Sequence, residues 1–519
     1  MIPGPPISNA LTPEREIEEF ERLKPRLREV WNAIALRDEE PHTSVVVPSL
    51  TLDQSELRKL DGVSFYEERL LFLLIRLRNP RARVVFVTSQ PVHPLILEYY
   101  FQRNGGIPAS HARSRLTLLC AYDSSPRSLT EKILERPRLI ERIREGIADP
   151  SRAYLTVFNS TPLERRLAVL LGIPLNGVDP ALSVHGTKSG CRKVFREAGI
   201  ACPDGFEDLG GEADVVDALA ELKRKKPALR RAVVKLNDSF SGEGNALFPY
   251  PATGGDRPAV VRDALRSLEF SVDWETVDAY MGKFRKMGGI VEEWIEGAEK
   301  KSPSVQIRID PEGAVVPVST HDQLLGGPSG QVYLGCLFPA DDPYRVPIHE
   351  AGMRIGEVLA AKGVVSRLAI DFLVVREAPD MPWRAFAIEI NLRMGGTTHP
   401  YLALQFLTGG QLDPKTGLFL SPRGRPKYYH ATDNLRSESY RGLLPEDLMD
   451  ILTINGLHYS HNSESGVLFH LIGALSQFGK LGMNAIGNSR EEVEALYQRT
   501  LDILARETGG SGEGREPRF

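Results

Sequence analysis

Hydrophobic and polar positions along this chain fall into distinct textures. In the first third, short apolar runs stand between amphipathic stretches. Residues 13–35 place acidic and basic side chains at helical spacing and predict a helix. Residues 44–48 (Ser-Val-Val-Val-Pro) and 83–88 (Arg-Val-Val-Phe-Val-Thr) are bounded apolar runs and predict strands. The second leads through 89–93 into an amphipathic helix over 95–101, and 154–158 followed by 159–162 repeats the pattern. These are strand–loop–helix units of an open α/β sheet, where ligand loops sit at the carboxyl ends of strands. The polar loops Ser89-Gln90 and Asn159-Ser-Thr161 are therefore candidates to meet a substrate. No glycine fingerprint accompanies them, so no dinucleotide site is expected. This domain is placed at 13–180.

From about residue 175 the texture changes. Glycine-rich turns and isolated lysines separate strands up to about Tyr401, and 412–427, rich in Gly, Pro, Lys and Arg, reads as an exposed connection. A third segment, 428–507, ends in a helix from 490 to about 506. Within it 467–478 reads as an apolar helix and 479–487 as a glycine-rich return, which would wall the side where an acceptor enters. Residues 1–12 form a proline-rich arm, and 509–514 have linker composition.

Composition narrows the function. A chain of 519 residues suggests two to four domains. Its 42% hydrophobic and 25% charged shares are those of a globular protein. The longest apolar run, 70–77, is broken by Arg76, so no membrane span is expected, and the N-terminus does not read as a secretion signal. Cys120, Cys191, Cys202 and Cys336 lack paired spacing and read as reduced thiols of a cytoplasmic protein. A net charge of −4 argues against nucleic acid as partner, and the basic run 223–226 with Arg230 and Arg231 reads as a solvated helix end. His458 and His461 stand at metal-ligand spacing, but no carboxylate accompanies them. With His430 and His470 they read as ordinary histidines.

The chemistry is concentrated between 185 and 399. In 232–236 (Ala-Val-Val-Lys-Leu) three apolar residues carry Lys235 out of a strand. Residues 237–245 follow, with Ser239, Ser241, Gly242 and Gly244, before a second strand at 246–250. A strand-bound lysine is a fixed charge suited to a phosphate, and glycines let backbone N–H groups approach phosphate oxygens. A plain hairpin with a surface loop fits the same residues. No Gly-Lys-Ser/Thr opens a helix, so this is no P-loop. The lysine strand is faintly similar to that of protein kinases, but their glycine loop precedes the lysine, and their His-Arg-Asp and Asp-Phe-Gly elements are absent here. Lys188, at the start of a helical pattern running to Ala198, would add its charge to a helix dipole, unless it is a surface lysine in a turn. A strand bearing Glu292 and Glu293 leads to Ile295 and Glu299. Backbone groups of such a strand can pair with a purine, and a downstream carboxylate can take ribose hydroxyls. An edge strand with acidic residues facing water is the alternative.

The strongest cluster joins 368–375 (Leu-Ala-Ile-Asp-Phe-Leu-Val-Val) to 384–396, which holds Glu389-Ile-Asn-Leu-Arg393. If the hairpin centres near Asp380, Asp371 falls opposite Glu389, and Asn391 lies two residues on, along the same face. Facing carboxylates inside an apolar sheet are costly unless neutralised. Mg²⁺ takes such oxygens and keeps places for phosphates. Arg393, two further along, could hold a transferring phosphoryl group. Carboxylates paired with arginines such as Arg367 are the structural alternative.

Taken in order, these segments resemble the ATP-grasp superfamily over 188–399. The resemblance implies an α/β fold, α+β in its ATP-grasp part: the N-terminal open α/β domain, an ATP-grasp domain at 181–405, and the C-terminal segment. Two ATP-grasp subdomains, a lid at 181–290 and a metal-binding part at 291–405, would clasp ATP between antiparallel sheets. Lys188 and Lys235 fall where the family binds phosphate, and the loop with Ser239, Ser241, Gly242 and Gly244 resembles its mobile lid. Glu292, Glu293 and Ile295 lie in what looks like the adenine hinge, and Glu299 resembles the ribose carboxylate. Asp371, Glu389 and Asn391 resemble the Mg²⁺ ligands. Arg393 resembles the arginine after them, and Arg308 would point toward an acyl phosphate. Related ligases often carry an arginine two residues before the first metal carboxylate. Ala369 stands there, and Arg367, two earlier, is the candidate substitute. Within the superfamily the chain is similar to peptide ligases of the pheganomycin type, on 302–306, 320–323, 393–399, 469–475 and 482–487. The implied activity is ATP-dependent joining of a small-molecule carboxylate to the amine of an amino acid or peptide through an acyl phosphate. The resemblance leaves room for a homodimer. A regulatory nucleotide-binding protein of the same fold, and a kinase that stops at the acyl phosphate, are the other classes consistent with these residues.

Overall fold

A computed structural model describes residues 12–36, 40–102, 107–238, 244–270, 275–326 and 332–509. Strands β1 (Thr43–Val47), β2 (Arg83–Thr88), β3 (Leu116–Cys120), β4 (Ala153–Val157) and β5 (Leu175–Asn176) pair in parallel in the order β3-β2-β1-β4-β5. β1 and β4 are buried throughout, which is why they read as unbroken apolar runs. Helix α1 (Pro13–Leu36) packs against helix Pro162–Leu171. Between β1 and β2, Val63–Arg78 winds as a 3₁₀ helix. Its Leu70, Leu71, Leu74 and Leu77 share a core with Leu435, Leu475, Leu481 and Met483 near the other end of the chain.

A second sheet is antiparallel, order β6-β10-β7-β8-β9, from β6 (Gly205–Leu209), β7 (Arg231–Leu236), β8 (Asn245–Pro249), β9 (Glu269–Phe270) and β10 (Gly289–Glu293). Val215, Leu219, Phe248, Tyr280 and Phe284 fill its own core. The third sheet is the largest. Its main strands are β11 (Glu299–Lys301), β12 (Pro303–Ile309), β13 (Val315–Gly326), β14 (Val332–Phe338), β15 (Ser366–Arg376) and β16 (Arg384–Asn391). After the short β17 (Gln411–Leu412) and β18 (Phe419–Leu420) come β19 (Pro426–Arg436), β20 (Gly466–His470) and β21 (Lys480–Gly487).

Three expectations need correction. The run at 467–478 is not one helix: Gly466–His470 is a strand, and only Leu475–Phe478 is α-helical. A run buried on both faces has no alternation to tell strand from helix. The return at 479–487 is likewise β21, buried along its length. The segment 428–507, set apart from the 181–405 domain, extends the sheet that carries Asp371, because β19 pairs with β14 and β21 with β19. Third, helix α2 (Lys188–Glu197), grouped with the lid by a boundary at 181, packs Cys191, Val194 and Phe195 against Val305, Ile370 and Ile390 of the third sheet. Among the described residues no helix is long and apolar enough to cross a membrane.

Candidate active site

β15 and β16 pair Asp371 with Glu389 and Ala369 with Asn391, the register expected of a hairpin centred near Asp380. A bulge after Asp371 shifts the remaining pairs by one. Gln323 Nε2 donates to Asp371 Oδ1 at 2.8 Å, and Asn391 Nδ2 donates to Asp371 Oδ2 at 2.9 Å. Lys188 Nζ, delivered by the first turn of α2, lies 2.5 Å from Glu389 Oε1. Burial, with the charge of Glu389 added, pushes the Asp371 carboxyl up to about 6. Burial would raise Glu389 too, but the ammonium of Lys188 outweighs it and holds Glu389 below the usual carboxylate range. Arg393 faces the same cavity; burial lowers its pKa against the opposing pull of Glu389 and Asp371.

The opposite wall is the second sheet. Lys235 on β7 pairs in register with Ile290, so Glu292, two residues along β10, lies diagonally across on the same face. The two form an ion pair, and the other oxygen of Glu292 lies 3.4 Å from Arg192 Nη1 of α2. Glu292 therefore bridges Lys235 of β7 and Arg192 of α2. Glu293 lines the cavity, but its carboxylate takes Lys226 at 2.6 Å and the Asp204 amide at 2.9 Å. Ile295 lines the cavity, its carbonyl accepting from Lys300 at 2.6 Å. Ser239, Ser241 and Gly242 lie outside the described residues. The Gly244 carbonyl accepts from Leu236 N and the Tyr280 hydroxyl, anchoring the return of that loop.

Together these walls enclose a cavity of about 790 Å³ whose lining includes Lys188, Lys235, Glu292, Asp371, Glu389 and Arg393. Four expected and described site residues are absent from its lining: Gly244, placed above, and Glu299, Arg308 and Arg367. Glu299 stands opposite Arg376 in the β11–β15 register and pairs with it at 2.6 Å, so a cross-strand partner has claimed the carboxylate. Arg308 and Arg367 are register partners further along the sheet, where the Arg308 guanidinium lies 4.7 Å from the Trp31 ring of α1. Burial and the neighbouring Arg308 push Arg367 down to about 10. The N-terminal loops also differ from expectation. Ser89 is fully buried: its amide and hydroxyl both donate to Glu67 at 2.6 Å, and Lys132 donates to its hydroxyl at 3.0 Å. Asn159 exchanges hydrogen bonds with the Thr51 backbone, and Thr161 caps a helix with Glu164. Polar loops at strand ends serve here as braces. His470 is buried against His399, and His430 stacks on Tyr497.

A curated relative, L-propargylglycine–L-glutamate ligase of Streptantibioticus cattleyicolor, is 31% identical over 474 residues, 89% of this chain and 94% of its own. The chain belongs to the ATP-grasp ligases. Residues 180–250 and 260–415 match the family described as IQCH-like, ATP-grasp, and 447–500 the one described as PGM1 C-terminal domain. IQ motif-containing protein H of Danio rerio is 22% identical over 95% of this chain, which spans about half (51%) of that relative. The biotin carboxylase–βγ-ATP complex from Campylobacter jejuni shares the fold, with a TM-score of 0.53 at 12% identity over 91% of this chain and 95% of its own. Beyond these likenesses, the ligase lines its cavity with residues that sequence reasoning passed over: Tyr66 and Arg69 from the 3₁₀ run, Asp433 and Arg436 from β19, and Lys480 from β21. The one available signal was charge inside apolar runs, as in Lys480-Leu-Gly-Met, which periodicity cannot aim at a site.

Proposed function

We propose that this ligase moves the γ-phosphoryl group of ATP onto a small-molecule carboxylate and joins the acyl phosphate to an amino-acid or peptide amine. The observation that carries this reading is the register-locked pair Asp371 and Glu389, surrounded by Lys188, Lys235 and Arg393 from both walls of one cavity. Two carboxylates and an amide oxygen, with the Asp371 carboxyl raised by burial and by the charge of Glu389, suit Mg²⁺ held jointly with phosphates. Among the described residues no group of three or more His, Cys, Asp or Glu could hold a metal ion. Bound there, Mg²⁺ would supply charge neutralisation for the phosphates.

The chain's own residues then position the reactants. Lys188 is tied to Glu389 and Lys235 to Glu292, so a polyphosphate takes both ammoniums by exchange. Arg393 balances the transferring group. An oxygen of the substrate carboxylate attacks the γ-phosphorus, and the bond to the bridging oxygen breaks with its electron pair leaving on ADP. The amine nitrogen then attacks the acyl carbon. The C–O bond to phosphate breaks, phosphate departs with the pair, and the amine gives up a proton. The name of the Streptantibioticus relative gives amino acids on both sides of the new bond, which supports the same substrate class here. The test is to incubate the protein with ATP, Mg²⁺ and pairs drawn from the common amino acids and short peptides, and to measure ADP together with amide product. The expected result is amide matching ADP. ADP without amide from any pair would overturn the reading.

A further inference from the structure

The cavity continues past the phosphate region, between the 3₁₀ run and strands β19 and β21, where nothing in the reaction above has used the residues. Arg436 and Lys480 stand directly opposite each other on β19 and β21. Like charges in that position repel unless an anion joins them. Arg436 turns outward to Asp61, 2.6 Å away on an exposed rim. Lys480 rests instead on Tyr66, its ammonium 4.9 Å from the ring centre. It is 7% exposed, its ammonium donates to the Tyr66 hydroxyl at 2.6 Å, and among the described residues no carboxylate lies in ion-pair range of it. Burying an ammonium without a counter-ion is costly, and it is tolerated where a ligand supplies one.

Beside it the charge is of both signs. The Arg69 guanidinium lies 4.5 Å from the centre of the Tyr66 ring and 4.8 Å from that of Phe158, and its Nη1 is 3.2 Å from Asp433 Oδ2. Asp433 Oδ1 carries no hydrogen bond among the described residues. Arg69, Asp433, Tyr66 and Lys480 line the same cavity as Arg393, from the 3₁₀ run and from β19 and β21. An acyl donor spends its carboxylate at Arg393. The substrate that needs a second anion site further out is the acceptor.

We propose that this end of the cavity seats the acceptor as a free amino acid, its carboxylate on Lys480 and its amino group on Asp433, facing the acyl phosphate. This rests on the ligase reading and sharpens it: a peptide N-terminus or a simple amine lacks the adjacent carboxylate. The test takes the acceptor amino acid of highest turnover and its carboxamide, with wild type, Lys480→Met and Tyr66→Phe, and measures kcat and KM for each. Wild type should prefer the acid by about 100-fold in kcat/KM, the scale of one charged hydrogen bond lost. Lys480→Met should erase that preference through the KM of the acid, with the KM of ATP unmoved. Tyr66→Phe, which keeps the ring and removes only the hydroxyl that orients Lys480, should reduce it about tenfold, so the idea stays testable should the lysine variant misfold. A wild type indifferent to the carboxamide would overturn the inference and leave the ligase reading standing. So would variants that keep the preference, or a lysine variant that shifts the KM of the acyl donor instead. ADP without amide from any amine would bring down both.

Discussion

The two ends of the cavity meet the cost of buried charge in opposite ways. At the end framed by β10 and β16, each lysine already has a carboxylate: Lys188 has Glu389, and Lys235 has Glu292. On the proposed reading a polyphosphate arriving there would exchange one anion for another and free Glu389 to meet a metal. At the far end Lys480 keeps an uncompensated charge, opposite the like charge of Arg436. The near end is held by strand registers and by α2, which packs on the same sheet. The far end is assembled from the N-terminal 3₁₀ run and two late strands. Such a division separates a constant ligand, the nucleotide, from a variable one, the acceptor.

Substitutions can break or sharpen this separation. The largest effect is expected from Glu389→Gln, which removes a metal-facing charge and the partner of Lys188. Amide formation should fall by about 10³-fold, the upper range for losing one preorganised electrostatic contact, with the circular dichroism spectrum intact. Wild-type turnover at limiting magnesium would remove Glu389 from the reacting end. Next, Glu292→Gln should loosen Lys235 and raise the KM of ATP about tenfold without moving that of the acceptor. Equal shifts in both would merge the two ends into one. Ser89→Ala lies outside both. It leaves buried Glu67 and Lys132 each short of a partner, so it should cost about 1–3 kcal/mol in denaturant melts and move no substrate constant.

The smallest effect concerns pH. Glu67 and Glu68, flanking the Tyr66–Arg69 platform, are both pushed up to about 7, chiefly by burial. Folded carboxyls that bind protons more tightly than unfolded ones stabilise the fold fully below the unfolded value of 4.5, and that contribution is lost as pH rises through about 7. Glu68→Gln, whose neutral side chain cannot titrate, should flatten this fall by about 1–2 kcal/mol. An unchanged dependence of the unfolding midpoint on pH would show that Glu68 is not the group responsible.

The near end was legible in the sequence because one hairpin spaces its residues. Asp371, Glu389, Asn391 and Arg393 lie within two strands of each other, and a period of two decides which share a face. The far end was not legible, because Tyr66 and Lys480 are 414 residues apart and meet only through a shared apolar core. Ser89, Glu299 and Arg308 failed for a related reason. Each has the right residue type at a plausible offset, but a partner distant in sequence claims it or packs against it: Glu67 and Lys132, Arg376, and Trp31. The 467–478 run failed because β20 is buried on both faces and shows no alternation.

The central claim is that the substrate carboxylate is activated as an acyl phosphate at the Asp371–Glu389 centre. Its most direct test is to supply the acid with oxygen-18 in its carboxylate and to analyse the phosphate released. One labelled oxygen should appear in inorganic phosphate for every amide formed. Unlabelled phosphate, or label recovered in AMP, would contradict the account.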